Sequence, residues 1–335
     1  MDLMEKIYAQ AGTDLQKVAF PECTEEKILL ACRECVDQHL AVPVLVGKPE
    51  EINAAAESFG ISLDGMEIYD TTDEKNVDEL VKEYAAINDS LSEKFLKRRA
   101  AHDSMYIGLY LLAVGKVDVS FAGLTHTTGD VIAVGTVIVG LKDGITTPSS
   151  MGIFKIPGFN GCEGDLLGFG DSALCVNPGP EELASIAVSA CDTIKALTDW
   201  EPRCALLSYS TDGSAESALV EKVRQARDIA QKLRPEYKID GEFQLDAAIN
   251  PQVAQKKVRR ESAVAGKANI IIWPDLNVGN IGVKLVQYFA KADAYGPMLQ
   301  GFRKIVCDCS RGAPVSELVG NIAIACVRAQ DLKKR

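Results

Sequence analysis

Four stretches of the chain run from a short apolar segment, through a loop of small and hydroxyl-bearing residues, into a helical pattern. They read VSFAGL-THTTGD-VIAVGTVIVGL, ALLSYS-TDGSA-ESALVEKVRQARDIAQKL, IIIWPDL-NVGN-IGVKLVQYFA and IVCDC-SRGAPV-SELVGNIAIACV. Loops of this composition expose backbone N–H groups, and the N-terminus of the following helix adds about half a positive charge. Together these features bind anions, and phosphate is the natural ligand. Any one such loop is more simply explained as a helix cap; four in one chain shift the balance towards an anion site.

The fourth junction is the most specific. Ser310 and Arg311 come directly off a strand pattern, Gly312 permits close backbone approach, Pro314 suits a helix start, and Glu317 follows on the first turn. A guanidinium there can clamp a phosphate or polarise a carbonyl, and a carboxylate can remove a proton. A plainer arrangement is also open, with Glu317 in a capping role and Arg311 paired to Asp308. His126 and Thr127 lie in the first loop and are candidate phosphate contacts. His102 follows a basic run, Lys97-Arg98-Arg99, which reads as solvated surface or as an anion contact.

Other chemistry is missing from the sequence. There is no Walker loop, no GxGxxG after the first strand pattern and no GxSxG elbow. Cys32, Cys35 and His39 share a helical face, but a zinc site needs a second pair of ligands, and only three histidines exist. The ten cysteines mostly lie in apolar segments, as small hydrophobes of a reduced compartment. No metal site is expected.

The elements that must position these loops alternate. KVAFPE, VPVLVG, VDVSFAGL, RCALLSYS, ANIIIWPDL and KIVCDC are strand-like and separated by helical patterns. That order predicts an α/β fold with parallel and mixed sheets and helices on both faces, its ligands at the carboxyl ends of the strands. The Gly- and Pro-rich text over 140–180 reads as antiparallel strands and turns crossing into a second domain. PGPEELASIAVSACDTIKAL then begins a helix, with Pro180 in its first turn. The expected domains are 1–145 with 303–335, and 146–302.

With 335 residues, 47% hydrophobic and 25% charged, the chain can bury a sizeable core, and bulk disorder is excluded. No apolar run is long enough for a membrane helix. The net charge of −11 argues against nucleic acid and anionic membranes as partners. The charged start, MDLMEKIYAQAGTDLQK, lacks an apolar signal core, so a cytoplasmic location is expected.

At the same loops the sequence resembles the phosphate acetyltransferase and phosphate acyltransferase (phosphotransacetylase) family. SYSTDGSA, DGEFQLDAA, VAGKANIIIWPDLNVGNIGVKLVQ, GPMLQG and SRG carry the likeness over 202–319; FPE at 20–22 and GLTHTTGD at 123–130 extend it. The resemblance implies a two-domain subunit similar to isocitrate and isopropylmalate dehydrogenases, with an inter-domain cleft, and a homodimer. It implies acyl transfer between coenzyme A and inorganic phosphate, with acyl-CoA and acyl phosphate as partners and no cofactor beyond coenzyme A as substrate. Ser310 and Arg311 match the active-site Ser-Arg pair, and Glu317 stands where many members place an Asp proposed as general base. Ser208, Ser210, Thr211, Gly213 and Ser214 match the hydroxyl-rich loop facing phosphate. Asn277, Gly279, Asn280, Gly282 and Lys284 match the Asn/Gly loop and the lysine after it.

Coenzyme A would meet Lys27, Arg98 and Arg99. Lys27 stands near the place of a family arginine, and Ala133 and Tyr288 occupy positions where cationic anchors are usual. The expected activity is acetyl transfer. The alternatives are a larger acyl group, propionyl or butyryl, and a catalytically weakened homologue that binds coenzyme A or acyl phosphate. An acyl-cysteine route through Cys309 or Cys162 is the mechanistic rival.

Overall fold

The first apolar runs become strands separated by helices whose polar faces are evident in the sequence. The computed structural model describes residues 2–334. The order is α1 (Leu3–Ala11), β1 (Gln16–Phe20), α2 (Glu26–Asp37), β2 (Ala41–Gly47), α3 (Pro49–Phe59), β3 (Glu67–Asp70), α4 (Glu74–Ile87), α5 (Glu93–His102), α6 (Ser104–Val114), β4 (Val119–Ala122) and α7 (Thr128–Ile138). There follow β5 (Ser149–Lys155), β6 (Leu166–Gly170), α8 (Pro180–Leu197), β7 (Arg203–Leu207), α9 (Ala218–Leu233), β8 (Lys238–Phe243), α10 (Leu245–Ile249) and α11 (Pro251–Lys257). The chain ends with β9 (Ile270–Ile272), α12 (Leu276–Ala290), β10 (Asp293–Gln300), β11 (Ile305–Asp308) and α13 (Val315–Lys334).

These elements form two units. One runs as far as Gly140 and resumes at Phe302; the other is Leu141–Gly301. The first holds a sheet in the order β11-β4-β1-β2-β3. Every neighbouring pair in it is parallel. Its core includes α6, SMYIGLYLLAV, which is apolar nearly all round and buried from Ile107 to Leu112, as a helix with no polar face must be. Tyr110 of α6 stacks on Tyr84 of α4 at 4.8 Å, and Phe20 of β1 lies 5.7 Å from Phe121 of β4.

The second unit holds a sheet in the order β10-β5-β6-β9-β7-β8. The β10–β5 and β5–β6 pairs are antiparallel, and the remainder are parallel. The Gly- and Pro-rich text thus gives the antiparallel pair β5–β6 expected of it, and β10 adds the edge strand. Helix α8 starts on Pro180, carries Glu181 and Glu182 in its first turn, and is buried continuously from Leu183 to Ile194.

Two local expectations change. His39 lies outside α2, in a left-handed conformation at φ 56°, so it leaves the face carrying the buried Cys32 and Cys35. Among the described residues no group of His, Cys, Asp and Glu is arranged to hold a metal ion. NVGN is not a loop: Asp275 caps Val278 N–H at 3.1 Å, and α12 begins at Leu276, so Asn277, Gly279 and Asn280 ride on its first turns.

Candidate active site

Within the first unit, neighbouring β1, β4 and β11 end beside three turns that carry the predicted residues. The β11–α13 turn holds Ser310 and Arg311, both exposed, and the exposed Glu317 follows on the first turn of α13. Ser310 Oγ accepts from Gly312 N–H at 3.3 Å. Arg311 makes no side-chain hydrogen bond or ion pair among the described residues, and its pairing to Asp308 does not form. Asp308 instead accepts from Thr128 Oγ1 at 2.7 Å through Oδ2, while its Oδ1 is buried with no hydrogen-bond partner among the described residues. Burial pushes the Asp308 carboxyl up, and the charge of Glu22 adds to that.

Lys27, on α2, is not free to meet a ligand with its whole ammonium. Its Nζ donates to the carbonyl oxygens of Arg311 at 3.3 Å and Ala313 at 3.0 Å, so it braces the β11–α13 turn.

The β4–α7 turn is organised by a residue whose role the sequence did not disclose. Glu22, with a side chain 2% exposed, accepts from Leu124 N (2.7 Å), Thr125 N (2.9 Å), Thr125 Oγ1 (2.8 Å), His126 N (2.9 Å) and His126 Nδ1 (2.7 Å). His126 Nε2 lies 3.2 Å from Asp103 Oδ1. Burial alone would raise the Glu22 carboxyl, but the hydrogen bonds from His126, Thr125 and Leu124 outweigh it and hold it at about 2. Asp103 and Glu22 together raise His126 to about 10, against a smaller opposing effect of burial. The ring is therefore an imidazolium with both N–H groups engaged by carboxylates. Thr127 is the N-cap of α7: its N–H and hydroxyl both donate to Asp130 Oδ2, at 3.3 and 2.6 Å. The run on α5 divides: Lys97 pairs with Asp78 at 2.7 Å, Arg99 lies over the rings of Phe95 and Tyr106 at 5.2 and 5.5 Å, and Arg98 is exposed.

The second unit repeats the device of a buried carboxylate holding a turn. Glu242, at the end of β8, accepts from Ser210 Oγ at 2.9 Å and Gly213 N at 3.0 Å, and it pairs with Arg224 Nε at 3.0 Å. Burial opposes ionisation, but Arg224, Gly213 and Ser210 bring the Glu242 carboxyl down to about 2. Ser210 and Thr211 are buried, and Thr211 Oγ1 accepts from Gln244 N at 2.9 Å. Ser208 Oγ accepts from Ser210 N at 3.2 Å, and Ser214 Oγ from Thr211 N at 3.0 Å. Of the predicted loop, Gly213 and Ser214 are the exposed members. On α12, Asn277 and Lys284 are exposed, Asn280 Nδ2 donates to Ser172 O at 3.2 Å, and Gly279 is buried.

Cysteine chemistry finds little support in these surroundings. Cys309 is buried, and desolvation, reinforced by Glu22 and Asp308, pushes its thiol well up. Cys162 is exposed, and its thiol donates to Lys267 O at 3.1 Å.

Comparison with known proteins identifies the family. Residues 2–326 match the family described as phosphate acetyl/butaryl transferase. The phosphate acetyltransferase of Clostridium acetobutylicum is 38% identical over 331 residues, 98% of this chain and 99% of that one. The crystal structure of a phosphotransacetylase from Streptococcus pyogenes superimposes with a TM-score of 0.90 at 31% identity, covering 98% of both chains. At the level of fold alone, a 4-hydroxythreonine-4-phosphate dehydrogenase from Burkholderia phymatum matches with a TM-score of 0.51 at 13% identity, covering 96% of this chain and 97% of that one. The dehydrogenase-like architecture expected from the sequence is thus present, and the chain, an acyltransferase, belongs to the phosphate acetyl/butaryl transferase family.

Proposed function

We propose that the chain catalyses acetyl-CoA + phosphate ⇌ CoA + acetyl phosphate. The observation that carries this reading is the β11–α13 turn, where the exposed Arg311 guanidinium makes no hydrogen bond or ion pair among the described residues and Glu317 stands exposed a few residues further on. In the direction of acetyl-CoA formation, Glu317 takes the thiol proton of CoA, and the thiolate attacks the carbonyl carbon of acetyl phosphate. The C–S bond forms, the C–O bond to phosphate breaks, and phosphate leaves with the electron pair. Arg311 holds the oxygens on which charge develops. Ser310, whose Oγ already accepts from Gly312, keeps its own proton to donate to them. Holding two anionic substrates in reacting geometry supplies much of the remaining acceleration. Gly213, Ser214, Asn277 and Lys284 are assigned to substrate in the second unit. The reaction as written needs no metal or redox cofactor.

Purified protein, a panel of acyl-CoAs from acetyl to butyryl, phosphate, and thiol release followed with a chromogenic reagent test the reading. Acetyl-CoA should give the highest kcat/KM, release should vanish without phosphate, and EDTA should leave it unchanged. A maximum at butyryl-CoA would assign the larger acyl group. No release with any acyl-CoA would leave a binding homologue.

We also read the chain as a cytoplasmic homodimer, following the family resemblance. Helix α12 presents Val278, Ile281, Leu285, Tyr288 and Phe289 to solvent on one face, the kind of surface a second copy covers. Sedimentation of Phe289→Asp, expected to shift towards monomer, tests that reading.

A further inference from the structure

The side chains proposed to act on substrate are exposed and weakly held, so their placement depends on the backbone beneath them. That backbone is anchored from outside the β11–α13 turn. Cys309 N donates to Ala122 O at 3.0 Å, and Thr128 Oγ1 donates to Asp308 Oδ2, two residues before Ser310. The Asp308 carboxyl is pressed against Gly123, at φ +115°; a Cβ there would overlap Asp308 Oδ1 and the Cys309 backbone. Gly123 and Thr128 flank the residues whose N–H groups converge on Glu22, and His126 ties that carboxylate to Asp103, the N-cap of α6. Three turns, from three adjacent strands, are thereby joined: Glu22 links those after β1 and β4, and Asp308 links those after β4 and β11.

We propose that Glu22, His126 and Thr128 are positioning residues for acyl transfer: the buried Glu22 carboxylate fixes the β4–α7 turn, and the Thr128–Asp308 bond carries that fixed position to Ser310 and Arg311. This inference rests on the roles given above to Ser310 and Arg311. The imidazolium has a second effect. It lies between the carboxylates of Glu22 and Asp103 and offsets their charge beside the β4–α7 turn.

The test uses the full chain with Thr128→Val, Thr128→Ser and Glu22→Gln. It reads kcat and KM for acetyl-CoA and phosphate, together with hydrogen exchange of peptides covering 120–130 and 305–314. Losing one charge-assisted hydrogen bond under a reacting group corresponds to about a tenfold change. Thr128→Val should therefore lower kcat about tenfold with both KM values within about twofold, and Thr128→Ser should restore it, since the hydroxyl is kept. Exchange at 309–313 should quicken in Thr128→Val and in Glu22→Gln. Wild-type kcat in Thr128→Val, a loss that Thr128→Ser fails to restore, or faster exchange confined to 124–126 would overturn the proposal. A wild-type protein without acyl transfer, whose 309–313 amides still loosen in both variants, would refute the enzymatic reading and leave the network standing. Should Glu22→Gln fail to fold, the Thr128 pair decides alone.

Discussion

The Lys27 ammonium donates to the carbonyl oxygen of Arg311 at 3.3 Å, and to that of Ala313 just beyond it. A lysine expected to hold coenzyme A is therefore a brace beneath the residue proposed to hold the reacting oxygens. Lys27→Met should cost about 1–2 kcal/mol of stability, the value for a charged donor reduced for solvent exposure. It should lower kcat about tenfold, as Arg311 loses its fixed backbone, and leave KM for CoA within about twofold. A tenfold rise in that KM at unchanged kcat would return Lys27 to the CoA site.

The paired shifts of Glu22 and His126 define a pH window. Glu22 titrates at 4.5 in an ordinary setting and at about 2 here, so its contribution to stability is complete above 4.5 and fades as the pH falls towards 2. His126 moves from 6.5 up to about 10, so its contribution is complete below 6.5 and fades as the pH rises towards 10. Both contribute fully only between the two ordinary values. Thermal unfolding of wild type and His126→Gln from pH 4 to 10 should show the largest gap in Tm near pH 5–6 and a shrinking gap on the alkaline side. A gap that widens towards pH 10 would contradict an imidazolium at this place.

Gly279 matched a family loop that contacts substrate, but it sits inside α12, where the packing demands glycine. A Cβ there would overlap the carbonyl of Asp171 and approach Trp273 Cδ1 to 3.0 Å. Backbone cannot swing aside as a flexible side chain does, so Gly279→Ala should destabilise by about 2–3 kcal/mol. Chemical denaturation measures this directly. A stable variant with weakened phosphate binding alone would show that the residue acts on ligand instead.

Apolar runs made β1, β2, β4, β7, β9 and β11 legible, because parallel strands covered on both faces read as continuous hydrophobic text. Strand β3, EIYD, carries no such run and lies at the sheet edge with its first residues exposed. Strand β8, KIDGEF, hides behind two acids that are buried yet satisfied, Asp240 by Arg260 and Glu242 by Arg224. The charged text over 71–99 shows no apolar break, yet it holds α4 and most of α5, with Ser92 capping α5. Reacting groups close together in sequence, such as Ser310, Arg311 and Glu317, could be gathered by eye. The supports could not: Glu22 and His126 are 104 positions apart, as Thr128 and Asp308 are 180 apart, and only the adjacency of β1, β4 and β11 brings them together.

The division of labour between Arg311 and Glu317 is open to direct measurement. Removing a donor aimed at developing charge typically costs about 10²–10³ in kcat, so Arg311→Gln should lose that much at every pH. Removing a general base typically costs about 10²–10⁴ and reshapes the pH profile. Glu317→Gln should fail near neutral pH and recover in part as the pH approaches the thiol pKa of CoA, where thiolate forms without help. Glu317→Asp should keep part of the activity, since the carboxylate stays but retreats by one methylene. Cys309→Ser should remain active, because a buried thiol pushed up by desolvation is a poor nucleophile. Circular dichroism must show each variant folded, since the β11–α13 turn also depends on Lys27 and Thr128 for its shape. A folded but inactive Cys309→Ser, together with an active Glu317→Gln, would replace direct thiolate attack with an acyl-cysteine route.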